Sequence, residues 1–345
     1  MEPLTEVALA RALPLSDAVG RRIAQIRAQG ARPALAAPLL HPLANDLVDP
    51  DPVGIDGEPD HAILAIESAR ISAAGRERAS RYRHIFSVCR WNEQLLRAAG
   101  IDNVSCAWQG IDPVLFHPAP RSGLFADRFV VFSGGKLEYR KGQDLAVAAF
   151  KAFAARHPEA LLVTSWGSPW PHLSQTMARS AWVRPPALLP DGRFDAAAWL
   201  ESEGLSPGSF VVLPPLPNGR HASVLREADA CLFTSRAEGG TNLVAMEALA
   251  CGAPVILSAN TGHLDLIADV PCLAARRQRP VAASHPEEAT DGWGESDVEE
   301  LVEHLELLWR DREGARAMGA RAASAMAARW TWDATFAPLL ARVLA

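Results

Sequence analysis

The chain has 345 residues, of which 49% are hydrophobic and 21% are charged, and its formal net charge is −6. This length suits two domains of ordinary size, and the composition is that of a globular protein with sizeable cores. Lysine and arginine are scattered rather than clustered, which argues against a nucleic-acid-binding stripe. An anionic ligand must therefore be held by a local cationic site. No stretch approaches the ~20 continuous apolar residues of a transmembrane helix.

The cysteines and the first residues indicate the compartment. No two cysteines form a close pair, none has zinc-type spacing, and several lie in apolar patterns that are typical of reduced, buried thiols. They are Cys89, Cys106, Cys231, Cys251 and Cys272. The N-terminus lacks the basic start and apolar run of a signal peptide. We therefore predict a cytoplasmic protein.

The first part of the chain alternates short apolar runs with helical patterns, which is typical of a parallel sheet covered by helices. The predicted strands are 6–10, 33–36, 62–66 and 84–88, and the predicted helices are 18–29, 73–81 and 91–99. Residues 46–60 are rich in Asp, Pro and Gly and predict a loop. This loop contains Asp49-Pro50-Asp51, but no regular element fixes those carboxylates, so we do not predict a metal site there.

A second α/β alternation follows a proline-rich stretch, residues 112–123, which is typical of an interdomain linker. Its predicted strands are 129–132, 161–165, 210–213, 230–234 and 255–257, and its predicted helices are 143–156, 242–251, 297–309 and 312–329. The tail, residues 331–345, begins near Trp332 and predicts one last helix. Residues 184–193 and 276–292 are rich in Pro and Gly and predict variable loops.

The run from Glu238 to Pro254, EGGTNLVAMEALACGAP, is the most informative part of the sequence. A buried-looking strand ends in a carboxylate and two glycines, a helix follows, and Gly252 stands where a helix end favours a left-handed residue. Backbone amides at the helix N-terminus suit an anion, while Glu238 and Glu247 suit hydroxyl groups. Phosphate with many hydroxyls describes a nucleotide sugar. The alternative is an ordinary strand-loop-helix with both glutamates in solvent.

A second pattern, SGGKLEYRKG, follows the first predicted strand of this half. Gly134 and Gly135 would let a ligand approach the backbone at the carboxyl edge of the sheet. Lys136 and Lys141 could clamp a diphosphate from two sides, whereas we interpret Arg140 as a surface residue. The alternative is a solvated basic turn.

Both patterns resemble one known family. VVFSGGKLEYRKGQDLAVAAF and RAEGGTNLVAMEALACGAPVI resemble the group 1 retaining glycosyltransferases, glycosyltransferase family 4, and FSVCRWNEQLLRAAGIDNVSCAWQGIDPVLFHP resembles the domain junction of that family. The resemblance implies an α/β GT-B fold, in which two Rossmann-like domains with parallel sheets face each other across a cleft. Residues 1–118 would form a short acceptor domain and residues 119–330 the donor-binding domain. Residues 331–345 would form a helix that packs back on the first domain.

The resemblance also implies roles for individual residues. Lys136 and Lys141 match the basic pair on the donor diphosphate, Glu247 matches the glutamate that binds the donor ribose, and Glu238 resembles the one against the transferred sugar. Glu238, Lys136 and Lys141 are therefore the catalytic candidates. The other donor-binding candidates are Gly134, Gly135, Gly239, Gly240, Thr241, Asn242 and Leu243, with the backbone near Pro214-Pro215-Leu216 at the base.

The sequence departs from the family pattern in two places. Eight residues separate Glu238 from Glu247 where the family usually has seven, and Gly239-Gly240 is the expected place for the extra residue. The first domain is also short. His41 and Glu67 are candidates for the acceptor side, although a histidine beside a proline is more often structural.

The predicted function is retaining transfer of a sugar from a nucleoside-diphosphate sugar, UDP- or GDP-linked, to a hydroxyl acceptor. The acceptor would be a glycan, a lipid-linked molecule or a small molecule, as in polysaccharide biosynthesis, with no metal or other cofactor required. Alternatives are a non-catalytic GT-B protein that binds a nucleotide sugar or glycan, and a GT-B sugar-nucleotide epimerase. Peripheral membrane contact through Arg21, Arg22 and Arg27, with Ile23 and Ile26, is less favoured than an ordinary first helix.

Overall fold

A computed structural model describes residues 34–50, 54–285 and 288–345, together with positions 21, 25, 26 and 28. The predicted strand at 6–10 and most of the predicted helix at 18–29 lie outside these residues, as do Arg22, Ile23, Arg27 and Asp51. Within the described chain, a four-stranded sheet is followed by a six-stranded one, and all strands of both sheets are parallel. The α/β prediction is thus confirmed.

The first domain contains the four-stranded sheet, in the order β2-β4-β5-β6. Its elements are β1 (Ala34–Leu35), β2 (Leu39–Leu43), β3 (Asp56–Gly57), β4 (Asp60–Leu64), α1 (Ala73–Ala79), β5 (His84–Ser87), α2 (Arg90–Ala98) and β6 (Val104–Cys106). Strand β2 was not predicted, because His41 and Pro42 interrupt its apolar run. Proline is tolerated there because, among the described strands, β2 pairs with β4 alone and lies at the edge of the sheet.

The second domain is built on the six-stranded sheet, in the order β12-β11-β10-β7-β8-β9. Its strands are β7 (Phe129–Gly134), β8 (Ala160–Ser165), β9 (Phe210–Val212), β10 (Ala230–Phe233), β11 (Val255–Ser258) and β12 (Leu273–Ala275). All but β12 were predicted to within about two residues. The central strands β7 and β10 are apolar and almost entirely buried, as strands covered on both faces are expected to be.

Helices cover both faces of this second sheet. They are α3 (Gln143–Ala154), α4 (Ala196–Ser202), α5 (Asn218–Glu227), α6 (Leu243–Ala250), α7 (His263–Asp269), α8 (Val298–Arg310), α9 (Arg312–Arg329) and, at the end of the chain, α10 (Trp332–Val343). Helix α6 has no polar face and is buried on most sides. Gly252 follows it in the predicted left-handed conformation, with φ +80°.

The region predicted as a variable loop, residues 276–292, is partly regular. Strands β13 (Gln278–Pro280) and β14 (Gly294–Ser296) form an antiparallel pair, and we call residues 278–296 the hairpin segment. Their sequences lack apolar alternation, which is why the pair was not predicted. Side-chain bonds hold it instead: the Gln278 amide donates to the carbonyl of Ala275 and to the Ser296 hydroxyl.

The last helix, α10, packs on the sheet of the first domain. Leu339, Val343 and Phe336 contact Phe86 and Ala107 there. The chain reaches this position because residue 111, at the domain junction, pairs with residue 331 just before the helix. The predicted helix at 331–345 is confirmed.

Gly110 determines how closely this junction packs. A Cβ at Gly110 would lie 2.3 Å from the backbone nitrogen of Trp332, whereas one at Gly167 would meet nothing within 4 Å. We expect Gly110→Ala to lower the free energy of unfolding by about 1–3 kcal/mol. Hydrogen exchange should also be faster in α10. Urea unfolding and exchange measurements check this, with Gly167→Ala as the control; equal losses in both variants would contradict the packing described.

Candidate functional site

Lys141 and Glu238 meet at the carboxyl ends of two neighbouring strands, β7 and β10. The Lys141 Nζ atom donates to Glu238 Oε2 at 2.6 Å and to Oε1 at 2.8 Å. The turn that carries Lys141 ends at Gly142, which has φ +70° and whose Cβ would lie 2.0 Å from the carbonyl oxygen of Thr234. Only glycine therefore lets the two loops approach this closely.

Glu238 is buried, with 3% of its surface exposed. Besides Lys141, its Oε1 atom accepts hydrogen bonds from the Ser235 hydroxyl at 2.6 Å and the Asn242 amide at 2.9 Å. Within the described part of the chain, Oε2 has Lys141 as its one close donor, with Arg140 Nη1 at 3.6 Å. Oε1 is thus saturated, while Oε2 retains capacity for one more donor, such as a ligand hydroxyl.

The charge state of Glu238 follows from these contacts. Burial alone would raise its pKa, but Lys141 and Arg140 outweigh burial and lower the pKa to about 2. The carboxylate is therefore ionised throughout the physiological range. It can accept hydrogen bonds from hydroxyl groups but has no proton to donate.

His263, which the sequence analysis missed, helps to position this group. Its Nδ1 faces the carbonyl of Ser258 at 3.1 Å, and its Nε2 lies 3.1 Å from the Asn242 amide nitrogen. Burial lowers the pKa of His263 to about 4, so the ring is neutral. With Nδ1–H donating to Ser258, Nε2 accepts from Asn242 and orients it toward Glu238. A lone histidine after a strand carried no signal of this role.

Asn242 also shapes the loop between the two glutamates. It is left-handed, with φ +65°, and its side chain caps α6 by accepting from the backbone of Ala245. Neither Gly239 nor Gly240 has a positive φ. The left-handed residue of this loop is therefore Asn242, and the placement of the extra residue at Gly239-Gly240 stays a prediction.

Gly239 and Gly240 instead lie against the first domain. A Cβ at Gly239 would be 2.6 Å from the carbonyl oxygen of Ile66, and one at Gly240 would be 2.6 Å from Gln109 Oε1. The Cys89 thiol donates to the carbonyl of Gly239 at 3.2 Å. Thr241 is also fully buried, whereas Leu243 is 36% exposed at the start of α6. In this structure the two glycines allow the loop to pack closely against the first domain.

Arg140 was interpreted as a surface residue, and that interpretation is wrong. Its side chain is 12% exposed and lies among three carboxylates: Glu138 at 2.6 Å, Glu67 at 3.3 Å and Glu238 at 3.6 Å. Burial would lower the pKa of Arg140, but these carboxylates raise it. Because Glu67 belongs to the first domain, Arg140 connects the two domains at the site.

Lys136 lies on the same loop, beside the cleft. Its ammonium is 3.6 Å from Glu138 Oε1 and 4.9 Å from the centre of the Trp170 ring. Gly135, with φ +117°, gives the loop its turn before Lys136, and a Cβ at Gly134 would lie 2.9 Å from Val244 of α6. The structure thus places Lys136 in the cleft without bringing it to Glu238.

Arg236 was also missed, although it stands inside the motif beside Glu238. It is completely buried and donates to both oxygens of Asp144, at 2.9 and 2.7 Å, and to Glu295 of the hairpin segment at 2.8 Å. Its guanidinium lies 3.6 Å from the centre of the Tyr139 ring. Arg236 therefore fixes the turn that carries Arg140 and Lys141.

Glu247 lies in α6, and its side chain has no hydrogen bond or ion pair within the described part of the chain. Burial raises its pKa to about 7. A partly buried carboxylate without a partner is costly unless a ligand satisfies it. Glu247 is therefore available to accept hydrogen bonds from ligand hydroxyls.

The two acceptor-side candidates, Glu67 and His41, differ in their position relative to the cleft. Glu67 lines a cavity of about 770 Å³ between the domains, together with Lys136, Glu138 and Arg140. His41 does not line it: the ring is buried within β2, and Nε2 is bonded to Asp60 Oδ1 at 2.7 Å, at the start of β4. The proposal of His41 as a cleft residue is wrong, and its role is structural.

The described residues contain no group of three or more His, Cys, Asp or Glu side chains arranged to hold a metal ion. No helix among them combines the length and the apolar character that crossing a bilayer needs. All five cysteines are free thiols, three buried and two partly buried.

The raised pKa of Glu247 predicts a pH-dependent stability. Because the folded-state pKa is near 7 and that of a free glutamate is 4.5, the stability contributed by protonated Glu247 is fully present below pH 4.5 and is lost as the pH rises through 7. Wild type should lose stability from pH 5 to pH 8, whereas Glu247→Gln should not. We therefore expect the unfolding free energy of Glu247→Gln, measured relative to wild type, to rise by about 1–2 kcal/mol from pH 5 to pH 8. Urea unfolding at both pH values measures this. Glu303→Gln, at a side chain 63% exposed, is the control; an equal response in both variants would count against the burial of Glu247.

Comparisons with known proteins find similarity to glycosyltransferases. A family model described as family 4 glycosyltransferase in conflict systems matches residues 217–339. The D-inositol 3-phosphate glycosyltransferase 1 of Catenulispora acidiphila is 32% identical over 218 residues, 61% of this chain and 47% of that protein. The D-inositol 3-phosphate glycosyltransferase of Rhodococcus jostii is 31% identical over 182 residues, 50% of this chain and 36% of that protein. The chain thus spans less than half the length of these curated relatives.

Solved structures show the same architecture. Sucrose-phosphate synthase from Thermosynechococcus elongatus superimposes with a TM-score of 0.62 at 18% identity, covering 99% of this chain and 80% of that one. Anabaena HepE in complex with UDP and glucose gives 0.60 at 16% identity, covering 83% of this chain and 71% of that one. The predicted GT-B fold is confirmed. The chain is thus similar to family 4 glycosyltransferases over residues 217–339, and its fold is that of GT-B proteins.

Proposed function

We propose that the protein is a retaining glycosyltransferase that moves a sugar from a nucleoside-diphosphate sugar to a hydroxyl acceptor. The observation that carries the proposal is the meeting of Lys141 and Glu238 at adjacent strand ends, with the unpartnered Glu247 in the helix that follows. A cation, an ionised carboxylate and a second carboxylate suit the phosphate, sugar and ribose of one ligand. The matched relatives, which are glycosyltransferases by name, support the same activity.

The donor would lie along the carboxyl edge of the second sheet. Lys141 has one ammonium proton left beyond the two given to Glu238, and this proton can reach a diphosphate oxygen. Lys136 supplies a second cation from the same loop. Glu247 would accept from the ribose hydroxyls, and the backbone near Pro214-Pro215-Leu216, after β9, would hold the base. We propose a UDP- or GDP-sugar; HepE, one of the neighbours, has been solved with UDP-glucose.

In the transfer step, the bond from the sugar C1 to the phosphate oxygen breaks and a bond from C1 to the acceptor oxygen forms on the same face. The acceptor proton moves to the departing phosphate oxygen. Lys136 and Lys141 would stabilise the charge that develops on the diphosphate, and contributions of this kind are typically worth several kcal/mol, roughly 3–4 for one well-placed donor. Glu238 Oε2 would orient the transferred sugar through one of its hydroxyls, and no protein nucleophile is required.

Residues 1–118 would hold the acceptor, with Glu67 at the cleft, residues 119–330 would hold the donor, and residues 331–345 would join them. We propose a cytoplasmic enzyme of polysaccharide biosynthesis that needs no metal, binds no nucleic acid and makes no obligatory membrane contact.

Nucleotide binding is the first test. UDP, GDP, ADP and CMP are compared for their effect on the unfolding temperature, and a nucleotide at a hundred times its dissociation constant should stabilise the protein by about 2.7 kcal/mol. We expect a shift with one nucleoside diphosphate that is lost in Lys141→Ala and Glu247→Ala. Lys151→Ala and Glu303→Ala remove the same side-chain types elsewhere and should keep the shift.

Lys141→Ala leaves the Glu238 carboxylate buried with fewer cations, which typically costs about 3–5 kcal/mol when a buried pair is broken. The double variant Lys141→Met/Glu238→Gln removes both charges and separates lost binding from lost folding. A shift that persists in the folded double variant and in Glu247→Ala would contradict the proposed donor site.

Product analysis is the second test. With the nucleotide sugar identified by binding, proton NMR of the anomeric centre should show the configuration of the donor retained in the product. Inversion would contradict the mechanism. Nucleotide binding without consumption of donor would indicate a non-catalytic binding protein, and isomerisation of the donor without acceptor would indicate an epimerase.

A further inference from the structure

Two buried histidines lie side by side beneath α10, on the sheet of the first domain. His61 on β4 and His84 on β5 are paired residues in the strand register, with 2% and 6% of their surfaces exposed. Phe86, two residues after His84, belongs to the apolar cluster that α10 enters through Leu339 and Val343. Alternate residues of a strand share a face, and so do paired residues of neighbouring strands. Both histidines therefore lie on the face of the sheet that α10 covers.

The two imidazole rings are packed against Phe86 and are poorly supplied with hydrogen bonds. The ring centre of Phe86 is 4.8 Å from that of His84 and 6.2 Å from that of His61. The Nε2 atom of His84 lies 2.7 Å from the Ser105 hydroxyl on β6. The Nδ1 atom of His61 is buried and has no hydrogen-bond partner within the described part of the chain. An unsatisfied buried nitrogen destabilises this arrangement, and water would satisfy it if α10 moved away.

The charges around the two rings oppose protonation. Three arginines and one aspartate act on them: Arg83 before β5, Arg97 in α2, Arg342 in the last turn of α10 and Asp60 at the start of β4. Asp60 is already bonded to His41, and Asp333, the aspartate of α10, lies in its first turn at the opposite end. Burial first, and then the arginines, lower the pKa of His61 and lower the pKa of His84 to about 4. Both rings are therefore neutral at pH 7.

Helix α10 depends on this contact for its stability. It has 12 residues and contains Pro338, which lacks the N–H of a helical hydrogen bond and crowds the preceding turn. Short helices gain little stability from their own backbone, so packing must supply it. Only one side of α10 is packed in the described structure, since Leu340 and Leu344 are 50% and 73% exposed. The helix can therefore be released locally, without unfolding of either sheet.

We propose that the His61–His84 pair is an acid-sensitive switch that releases α10 from the first domain. While α10 is docked on the sheet, the rings are excluded from water and remain neutral. Once it is released, water reaches them and they bind protons as free histidines do. Acid therefore favours the released state, because that state binds more protons. Since α10 joins the end of the second domain to the sheet of the first, its release weakens the contact between the domains. The inference is independent of the proposed donor and acceptor.

The size of the effect follows from the two protonation equilibria of His84. Its pKa is about 4 when α10 is docked and 6.5 for a free histidine. Docking is thus fully stable above pH 6.5 and is weakened as the pH falls from 6.5 toward 4. Between pH 7.5 and pH 5, the ratio of released to docked molecules should rise by about 10–30-fold from His84 alone. His61, whose pKa is lowered as well, acts in the same direction.

Amide hydrogen exchange of the whole chain at pH 7.5 and pH 5, corrected for the intrinsic rates, tests the switch. We expect exchange in α10 to be about 10–30-fold faster at pH 5, while α9 in the second domain changes much less. In His61→Leu/His84→Gln this response should disappear, since leucine removes the unsatisfied nitrogen and glutamine can still reach Ser105. His157→Gln, at a histidine of the second domain that is 8% exposed, is the matched control and should keep the response.

A surface variant tests the switch without altering the buried face. Arg342 is exposed, and in Arg342→Glu a carboxylate would stabilise the protonated rings in the docked state, so the response of α10 should fall to about twofold to threefold. Arg321→Glu, on an exposed position of α9, is its control and should keep the full response. The inference would be overturned by wild type showing no acid response, or by α9 and α10 responding equally. An undiminished response in the folded histidine variant or in Arg342→Glu would also overturn it.

Discussion

The buried ion pair between Lys141 and Glu238 joins the two loops that form the site, beside a backbone bond from the Arg236 nitrogen to the Arg140 carbonyl at 2.7 Å. One loop follows β7 and the other follows β10, and the pair fixes the distance between them. Removing one member of such a pair typically costs about 3–5 kcal/mol, because the remaining charge stays buried. Asn242, Ser235 and His263 complete the shell around Glu238, so the start of α6 is fixed as well. The geometry of the site therefore depends on this contact more than on any apolar packing.

A second buried network of polar contacts, centred on Arg236, holds the turn that carries Lys141. Arg236 pairs with Asp144 inside the second domain and with Glu295 in the hairpin segment, while its guanidinium stacks on Tyr139. Because Tyr139 begins the turn that ends in Lys141, any displacement of Arg236 would be transmitted to the lysine. The hairpin segment in turn reaches the first domain through Trp293. The site is thus held between two domains by polar contacts that are almost entirely satisfied, as buried polar groups must be.

The sequence could predict the elements whose patterns are local. Strands β7 and β10, helix α6 and the left-handed Gly252 follow from apolar runs and glycine placement, and the resemblance to a family supplied Glu238, Glu247 and Lys141. It could not predict β2, where proline interrupts an edge strand, or the hairpin segment, which polar side chains hold together. It also missed Arg140 and Arg236, because a charged residue in a loop looks solvated until partners distant in sequence surround it. His41 shows the opposite error: the sequence made it a candidate for the cleft, but a hydrogen bond to Asp60 holds it away from the cleft.

The close packing of Gly239 and Gly240 limits how the loop beside Glu238 can move. Gly239 lies directly against the backbone of Ile66, and Gly240 lies against the side chain of Gln109, both in the first domain. The loop cannot shift outward by itself, since the neighbouring domain occupies that space. An outward displacement of the loop beside Glu238 would therefore require the two domains to separate.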